Sequence, residues 1–209
     1  MTPQMGPLQH PANETLATIA SRRSVRVFDG RPVAPELVDA LLAAANQAPS
    51  AHNSQSWRFL VLGPEKKREL AALVSARSAE YPRPTNVLLR MGARTIASAP
   101  VVIAVANTGE LMRHGAELFP IAGEHNRDFF RTMEIQGSAA AVQNLLLAAT
   151  SLGLGAVWLG ILYLMKDEVL ALLGEPQGEF MAVVPVGYGA APAKSPKKRT
   201  DAEIVRHLP

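Results

Sequence analysis

The sequence predicts an α+β fold, because its helical and strand-like segments follow one another without the strict βαβ alternation of a doubly wound fold. The 209 residues are 48% hydrophobic and 19% charged, which is too apolar for a disordered chain and sufficient for a packed core. A chain of this length is ordinary for one domain, 1–209, and hardly sufficient for two.

Residues 1–12 are predicted to form a flexible arm. They are polar, contain prolines, and lack the basic n-region and apolar h-region of a secretory signal. The chain has no cysteine, which excludes a disulfide scaffold, thiolate metal sites and a cysteine nucleophile, and which fits a reducing compartment. We therefore expect a cytoplasmic protein.

A helix and a short strand are predicted next. Asn13 can cap a helix that ends near Ser21, with Leu16 and Ile19 on its apolar side. Residues 25–28 alternate between apolar and polar side chains, a pattern that would turn both valines of this strand toward the core.

Helices and strands then continue to the middle of the chain. Pro35 and Glu36 suit the first turn of a helix that ends near Gln47. The patterns beyond it predict a polar loop at 48–56, a strand at 57–62, a helix at 64–79, a loop at 81–86, a helical segment to about 97 and a buried strand at 100–106.

The longest uncharged stretch, residues 135–165, has the length of a membrane span. Three amide side chains and several glycines interrupt it, and unsatisfied polar groups are costly in lipid. We therefore predict a buried helix at 131–152 that runs into a strand at 156–159, and no membrane partner. A helix that is apolar on nearly every side needs a large core or a partner helix, which a second subunit could provide.

The remaining segments differ in character. Residues 107–130 carry mixed charge, three glycines and no clear period, and are predicted to be an excursion or lid. A helix at 166–173 and a strand at 181–188 follow the long helix. The tail, 190–209, is rich in Ala, Pro and Lys and is predicted to be extended.

No metal site is predicted. The excursion holds His114, Glu117, Glu124 and His125, but their spacing matches no known ligand pattern. Polar side chains on a solvent-exposed segment account for them.

The formal net charge of +3 is concentrated in two basic clusters. Their members are Arg22, Arg23, Arg26 and Arg31 near the start, and Lys194, Lys197, Lys198 and Arg199 in the tail. Such clusters suit an anionic ligand as well as nucleic acid. A nucleic-acid-binding module would also need a recognition helix or an aromatic stacking platform, and neither is visible.

The first segment that could carry chemistry is 21–26, with three guanidiniums and two hydroxyls. Arginine forks and a serine donor can hold a phosphate. On an extended chain Ser24 and Arg26 share one side. The alternative is a solvated, basic helix end that the helix dipole favours.

The second such segment is the loop 48–56, whose small polar residues could lie close over a flat ligand. Asn53 and Gln55 can both donate and accept hydrogen bonds, as recognition of a heterocycle edge requires. The alternative is a polar turn capped by Trp57.

The glycine-rich segment 153–160 does not fit a dinucleotide-binding fingerprint. That motif needs a glycine where Trp158 stands, and it follows a strand and opens a helix, whereas here a helix precedes a strand. No phosphate-binding P-loop sequence is present either.

In this order and at these intervals, the segments resemble the nitroreductase-like flavoproteins. The resemblance extends over about 14–207. It is carried by 22–28, 49–57, 141–149, 153–160, 184–188 and the basic tail. It implies a central, mainly antiparallel sheet flanked by helices, an intertwined homodimer with FMN at each of two subunit interfaces, and reduction of that FMN by NAD(P)H.

The resemblance also implies roles for individual residues. Arg22 and Ser24 would contact the FMN phosphate and ribityl chain, Arg23 would follow that chain with its backbone, and Arg26 would lie near flavin N1 and O2. The loop reaching over from the other subunit would contribute Pro49, Ser50, Ala51, Asn53 and Gln55. Leu159 and Gly160 would present backbone near flavin N5, and either Lys198 or Arg199 would meet the phosphate.

The implied activity is NAD(P)H-dependent reduction of a nitroaromatic, a quinone or a similar flat electrophile by ping-pong hydride transfer. The flavin supplies the chemistry, so no side chain is assigned as catalytic. A specialised enzyme of the same fold, such as a dehalogenase, an enone reductase, a heterocycle oxidase or a flavin-fragmenting enzyme, is the alternative. The sequence departs from the family at Ser56, where proline is usual, so the rigidity of the loop is in question.

Overall fold

The structure, a computed structural model, describes residues 13–118, 125–192 and 195–208. The arm predicted at 1–12 lies outside the described residues. The helices are α1 (Glu14–Ser21), α2 (Pro35–Asn46), α3 (Pro64–Arg77), α4 (Thr85–Ser98), α5 (Glu110–Leu118), α6 (His125–Ser151), α7 (Lys166–Leu173) and α8 (Asp201–Ile204). The strands are β1 (Trp57–Val61), β2 (Val101–Asn107), β3 (Gly155–Ala156) and β4 (Glu179–Gly187).

The four strands form one sheet in the order β1-β2-β4-β3, and every neighbouring pair is antiparallel. Beyond β3, Ser24 forms a parallel bridge with Ala156, and Phe28 forms an antiparallel bridge with Gly189. The predicted α+β class and the mainly antiparallel sheet are therefore confirmed.

The core lies on both faces of the sheet. Alternate residues of β2 point to opposite faces, so that Val102 and Ala104 join one apolar cluster while Ile103 and Val105 join the other. Buried residues of α3, α4 and α7 complete the first cluster, and those of α2 and α6 complete the second. Burial on both faces explains why β2 reads as an almost purely apolar run.

Helix α6 begins six residues earlier than predicted, at His125 instead of residue 131. Its middle turns bury Val142, Leu145 and Ala149 against the second face of the sheet. Among the described residues, no helix combines the length and the apolar content that crossing a membrane would need.

The excursion predicted at 107–130 contains more regular structure than its sequence suggested. Asn107 belongs to β2, α5 covers 110–118, and residues from 125 onward belong to α6. Gly115 obscured the helical pattern, yet it is required for packing: a Cβ on it would lie 2.4 Å from the Phe130 ring. The glycine here permits a close approach of two helices and does not break one.

The tail and the strand near residue 156 also differ from prediction. The tail is not wholly extended, because Thr200 and Glu203 form a capping box that opens α8. The regular part of β3 ends at Ala156, although the amide of Leu159 still donates to the carbonyl of Val183 at 2.9 Å.

Two predicted inward-facing side chains lie at the surface of this chain. Ile19 on α1 is 49% exposed and Val27 is 67% exposed. The segment around Val27 makes only isolated bridges to the sheet, so alternation along it does not place both valines in the core. Val25 alone packs against the core.

Candidate functional site

The segment 22–26 is fixed between α1 and the edge of the sheet. The amide of Arg22 donates to the carbonyl of Thr18 and closes α1, and the amide of Val25 donates to the carbonyl of Ala156 at 3.0 Å. This backbone pairing holds the arginine-rich segment alongside β3.

Gly155 sets how closely that segment can approach. A Cβ at Gly155 would lie 2.7 Å from the Cβ and Cγ2 atoms of Val25. Real Cβ atoms do not come so close to a neighbour, so the position of the segment depends on the absence of a side chain here.

The side chain of Arg23 is occupied within the chain. Its guanidinium donates to the carbonyls of Ala20 and Arg22 at 2.7 and 2.8 Å, and to Ser195 Oγ at 2.8 Å. These hydrogen bonds agree with the alternative interpretation of the segment as a basic helix end, because the Arg23 side chain satisfies carbonyls at the end of α1. Three of the five guanidinium N–H donors of Arg23 are therefore engaged within the chain.

Among the described residues, the side chains of Arg22 and Arg26 make fewer hydrogen bonds than that of Arg23. Within the described ranges, neither forms an ion pair with a carboxylate. Arg26 donates to the carbonyl of Ser24 at 3.3 Å, and both Ser24 and Arg26 are exposed. Two uncompensated guanidiniums and a free-standing hydroxyl on one short segment can hold an anion.

The tail is brought to the same place. The hydrogen bond between Arg23 and Ser195 anchors it across 172 residues of sequence. Lys198 lies three residues beyond Ser195, so at most about 11 Å of chain separates them. Lys198 and Arg199 are exposed there, whereas Lys194 lies outside the described residues. The two basic clusters of the sequence therefore converge on one region.

The loop 48–56 is held in an unusual backbone conformation. His52, Asn53 and Gln55 have positive φ angles of 51°, 52° and 47°, a region that residues other than glycine seldom adopt. Ser50 Oγ accepts the amide of Gln55 at 3.0 Å and stabilises the turn. Such backbone strain often occurs where a loop serves a ligand.

The loop also lies against α6. A Cβ at Gly137 would lie 3.3 Å from the Cβ of Ser50, so the glycine allows the loop to rest close to the helix. Pro49 is exposed and Ala51 is partly buried. A cavity of about 140 Å³ opens beside the loop, lined by Ala51, His52, Leu111, Phe129, Phe130 and Met133.

Leu159 and Gly160 lie beside β4. Leu159 is buried, and Gly160 is exposed at the start of the 3₁₀ helix Gly160–Met165. The indole of Trp158 donates to the carbonyl of Met181 at 3.2 Å and supports this turn. A Cβ at Gly160 would lie 3.4 Å from the indole nitrogen. The exposed backbone at Gly160 is therefore open to a flat ligand.

The predicted site residues form two groups that one chain does not bring together. The first group, 22–26 and the tail, lies at the β3 edge, where Ala156 pairs with Val186, whereas 159–160 continue from β3 alongside Val183. The second group is the loop that precedes β1, at the opposite edge of the sheet.

The two groups also lie at opposite ends of the strands. Trp57 of β1 pairs with Asn107, which pairs with Glu179 at the start of β4, seven residues before Val186. Seven strand residues span about 23 Å, and three strand spacings add about 14 Å across the sheet. The groups are at diagonally opposite corners of the sheet.

Sequence reasoning missed a buried polar cluster between the loop and α6. Ser138 donates to Asn107 Oδ1, and Asn107 donates to Met181 Sδ at 3.3 Å. Glu134 is 2% exposed and accepts the amide of Leu111 at 2.7 Å through Oε1. The only sequence signal was a carboxylate one residue before the uncharged stretch.

Burial raises the pKa of Glu134 above its ordinary value, and the nearby carboxylate of Glu179 adds to this. Three neighbouring hydrogen-bond donors lower the pKa of Glu134, but they do not outweigh burial. They are the amide of Leu111, the hydroxyl of Ser56 and the amide of Met112. Arg131, the neighbouring cation, pairs with Glu179. Among the described residues, Glu134 Oε2 is buried without a hydrogen-bond partner.

We expect Glu134→Gln to be more stable than the wild type at neutral pH. A carboxyl whose folded-state pKa is raised stabilises the fold below the unfolded-state pKa of about 4.3, and loses that contribution as pH rises through the folded-state value. The free energy of unfolding of the glutamine variant, relative to wild type, should therefore increase with pH across this window. Denaturant unfolding at several pH values measures it.

The matched control is Glu117→Gln on α5, whose side chain is 76% exposed. Because this side chain is exposed, the variant should not show the pH-dependent gain in stability that we expect for Glu134→Gln. Equal pH profiles for wild type and Glu134→Gln would contradict the raised pKa.

Metal binding gains no structural support. Within the described ranges, no group of three or more His, Asp or Glu side chains could hold a metal ion. Glu124, one of the residues considered from the sequence, lies outside the described residues.

Known proteins match this chain over most of its length. A model of the nitroreductase family matches residues 19–188. A protein of Archaeoglobus fulgidus with the provisional name NADH dehydrogenase/NAD(P)H nitroreductase is 30% identical, over 84% of this chain and 85% of its own. A protein of Methanothermobacter thermautotrophicus with the same provisional name is 32% identical, over 89% of this chain and 81% of its own.

A solved structure agrees with these sequence matches. A crystal structure from Desulfovibrio desulfuricans, provisionally described as a nitroreductase in complex with FMN, has a TM-score of 0.72. The two chains are 29% identical, and the structural match covers 95% of this chain and 99% of that chain.

Proposed function

Because the chain belongs to the nitroreductase family, we propose that it is an FMN-dependent oxidoreductase that takes electrons from NAD(P)H and passes them to a flat electrophile. Residues 1–209 would form one FMN-binding domain. The family and the names of its relatives support an oxidoreductase in general.

The donor set at the β3 edge fits the FMN phosphate. Arg22 and Ser24 stand on a segment whose guanidiniums lack carboxylate partners in the described ranges, and Lys198 or Arg199 can reach the same anion from the tail. The backbone of Arg23 would follow the ribityl chain, since its side chain is engaged elsewhere.

The observation that carries the proposal is the diagonal separation of the two groups of site residues. A single chain would cover FMN on one side only. In a homodimer with two-fold symmetry, the loop of one protomer can lie over the segment 22–26 of its partner, and two equivalent sites form. Pro49, Ser50, Ala51, Asn53 and Gln55 would then contact the flavin held by the other chain.

The surface of the chain supports such a dimer. Ile19 on α1 and Val27 are large apolar side chains exposed in one chain. A groove of about 510 Å³ runs between α1, α2 and α6. Its walls include Leu147 and Ala148 in the uncharged part of α6. A second copy of the chain would cover these apolar surfaces.

Within this arrangement, FMN supplies the redox chemistry when it is bound, because it can accept hydride from NAD(P)H and donate it to the acceptor. The exposed backbone at Gly160 would leave room for flavin N5, and Leu159 and Gly160 would face the ring. Arg26 would place a permanent positive charge beside flavin N1 and O2. The cavity beside the loop would receive a nitroaromatic or a quinone.

We expect the purified protein to be yellow and to bind about one FMN per chain in a dimer. Titration of the apoprotein with FMN, followed by flavin fluorescence, gives the stoichiometry, and sedimentation equilibrium gives the subunit number. Stopped-flow mixing with NADH and with NADPH should then bleach the bound flavin, and a panel of acceptors should restore its colour.

Riboflavin, which lacks the phosphate, is the matched ligand control. It should bind at least about tenfold more weakly than FMN if the arginine cluster holds the phosphate. A colourless protein that takes up no FMN would contradict the proposed function, and an FMN-binding monomer would contradict the shared site.

A further inference from the structure

Helix α5 is held at its first turn by a side chain from another helix. The amide of Leu111, the second residue of α5, donates to Oε1 of Glu134 on α6 at 2.7 Å. The first amides of a helix have no partner within the helix, so a carboxylate there fixes both the position and the direction of the helix. The contact spans 23 residues of sequence.

Glu134 also faces the loop that precedes β1. The hydroxyl of Ser56 lies close enough to the carboxylate to favour its charged form, and Ser56 itself is only 3% exposed. Ser56 Oγ lies 3.2 Å from Ser54 Oγ in the same loop. The buried carboxylate thus accepts a hydrogen bond from α5 and lies near the loop proposed to cover the flavin.

The cavity of about 140 Å³ lies between these same two elements. The loop contributes Ala51 and His52 to its wall, and α5 contributes Leu111, the residue whose amide Glu134 accepts. Met133, the residue before Glu134, lines the cavity as well. Glu134 therefore follows one wall residue in sequence and accepts the amide of another.

Stability alone does not account for an ionisable carboxyl group at this position. The carboxylate is buried, and its Oε2 has no hydrogen-bond partner among the described residues. A buried and incompletely paired charge is unfavourable compared with a neutral side chain of similar shape. What Glu134 does provide is a hydrogen-bond acceptor at a defined place between α5 and the loop.

We propose that Glu134 is a positioning residue that fixes α5 against the loop 48–56 and so sets the size of acceptor that the cavity admits. The inference rests on the proposed function, since it takes the cavity as the acceptor site. Glu134 acts through the hydrogen bond to Leu111 and touches neither flavin nor acceptor. A neutral acceptor of the same shape should therefore replace it.

The test compares Glu134→Met with Glu134→Gln. Methionine keeps the volume and the helix propensity but has no strong acceptor, whereas glutamine keeps a carbonyl for the Leu111 amide. We expect Met to change the ratio of kcat/KM between a two-ring quinone and a one-ring nitroaromatic by about fivefold or more. Gln should restore the wild-type ratio to within about twofold.

The rate of flavin reduction by NAD(P)H and the FMN content should stay at wild-type levels in both variants, as in the control Glu117→Gln. An unchanged acceptor ratio in Met, a uniform loss for all acceptors, or an equal change in Met and Gln would each overturn the proposal. If the Met variant does not fold, Ser56→Ala removes the other contact and must shift the ratio in the same direction.

A second readout does not depend on flavin. Amide hydrogen exchange at Leu111 should be at least about tenfold faster in Glu134→Met than in wild type, and near wild type in Glu134→Gln. If the protein bound no FMN, the proposed function would fail while this measurement still reported whether Glu134 holds α5. Unchanged exchange at Leu111 in the Met variant would remove the basis of the proposal.

Discussion

Replacing Gly155 with alanine should reduce FMN affinity by at least about tenfold, although Gly155 itself need not touch the cofactor. The new Cβ would lie 2.7 Å from Val25, whose amide donates to the carbonyl of Ala156. The contact can be relieved only if the segment 22–26 moves away from β3. Arg22 and Ser24 would then leave the positions from which they hold the phosphate.

The same crowding should lower the free energy of unfolding by about 1–3 kcal/mol, as insertion of a methyl group into a packed site commonly does. Fluorescence titration of the apoprotein with FMN measures the affinity, and thermal unfolding measures the stability. The titration should be done well below the unfolding temperature of the variant, so that loss of FMN reports on the site and not on unfolding.

Gly92→Ala is the matched control. Gly92 lies inside α4, and its added Cβ would make ordinary contact with Leu162 at 3.6 Å. Alanine favours the helix, so this variant should be more stable by about 0.5–1 kcal/mol and should bind FMN normally. Normal FMN affinity in Gly155→Ala would show that the segment beside β3 does not hold the cofactor.

The parts of the fold that could be predicted are those with local signals. Asn13 was expected to cap α1, and its Oδ1 accepts the amide of Leu16 at 2.8 Å. The apolar run of β2 and the limits of α7 also agree with prediction. In each case a few adjacent residues determine the element, whatever lies elsewhere in the chain.

The parts that could not be predicted depend on distant contacts. Gly115 obscured the helical period of α5, and the Phe130 ring that requires a glycine there lies 15 residues further along the chain. Val27 was expected inside on its alternation, yet its segment meets the sheet only through isolated bridges. Its exposure in one chain is explained if a second chain covers it, as the proposed dimer requires.

The candidate site shows the same division. The arginine-rich segment and the polar loop are visible in the sequence as short motifs. Their places at opposite corners of the sheet follow only from strand order and register. Glu134 carries no motif, because its partners are the backbone of Leu111 and the hydroxyl of Ser56, which no local pattern connects to it.

Replacing Arg26 with alanine should slow flavin reduction by about 100-fold while weakening FMN binding by less than about tenfold. In the proposed site, Arg26 would be a fixed positive charge beside flavin N1 and O2, where it would stabilise the negative charge of the reduced ring. Its guanidinium makes only one hydrogen bond in the described structure, to the carbonyl of Ser24 at 3.3 Å. It can therefore turn to the ring without breaking an ion pair.

Comparing the loss of flavin reduction rate with the loss of FMN affinity identifies the role of Arg26. Stopped-flow reduction at saturating NAD(P)H gives the rate, and fluorescence titration gives the affinity. Arg26→Gln keeps a donor but no charge and should fall between wild type and Arg26→Ala. A larger loss of affinity than of reduction rate would place Arg26 at the phosphate instead of at the ring.

The matched control for loss of charge is Arg31→Ala. Arg31 lies five residues further along the chain, and its guanidinium pairs with Asp29 at 3.1 Å and stacks over the Tyr188 ring at 4.1 Å. Because it is already engaged, its loss should change the reduction rate by no more than about twofold. If Arg31→Ala slowed reduction as much as Arg26→Ala, the effect would come from the general positive field of the segment, and Arg26 would have no specific place beside the flavin.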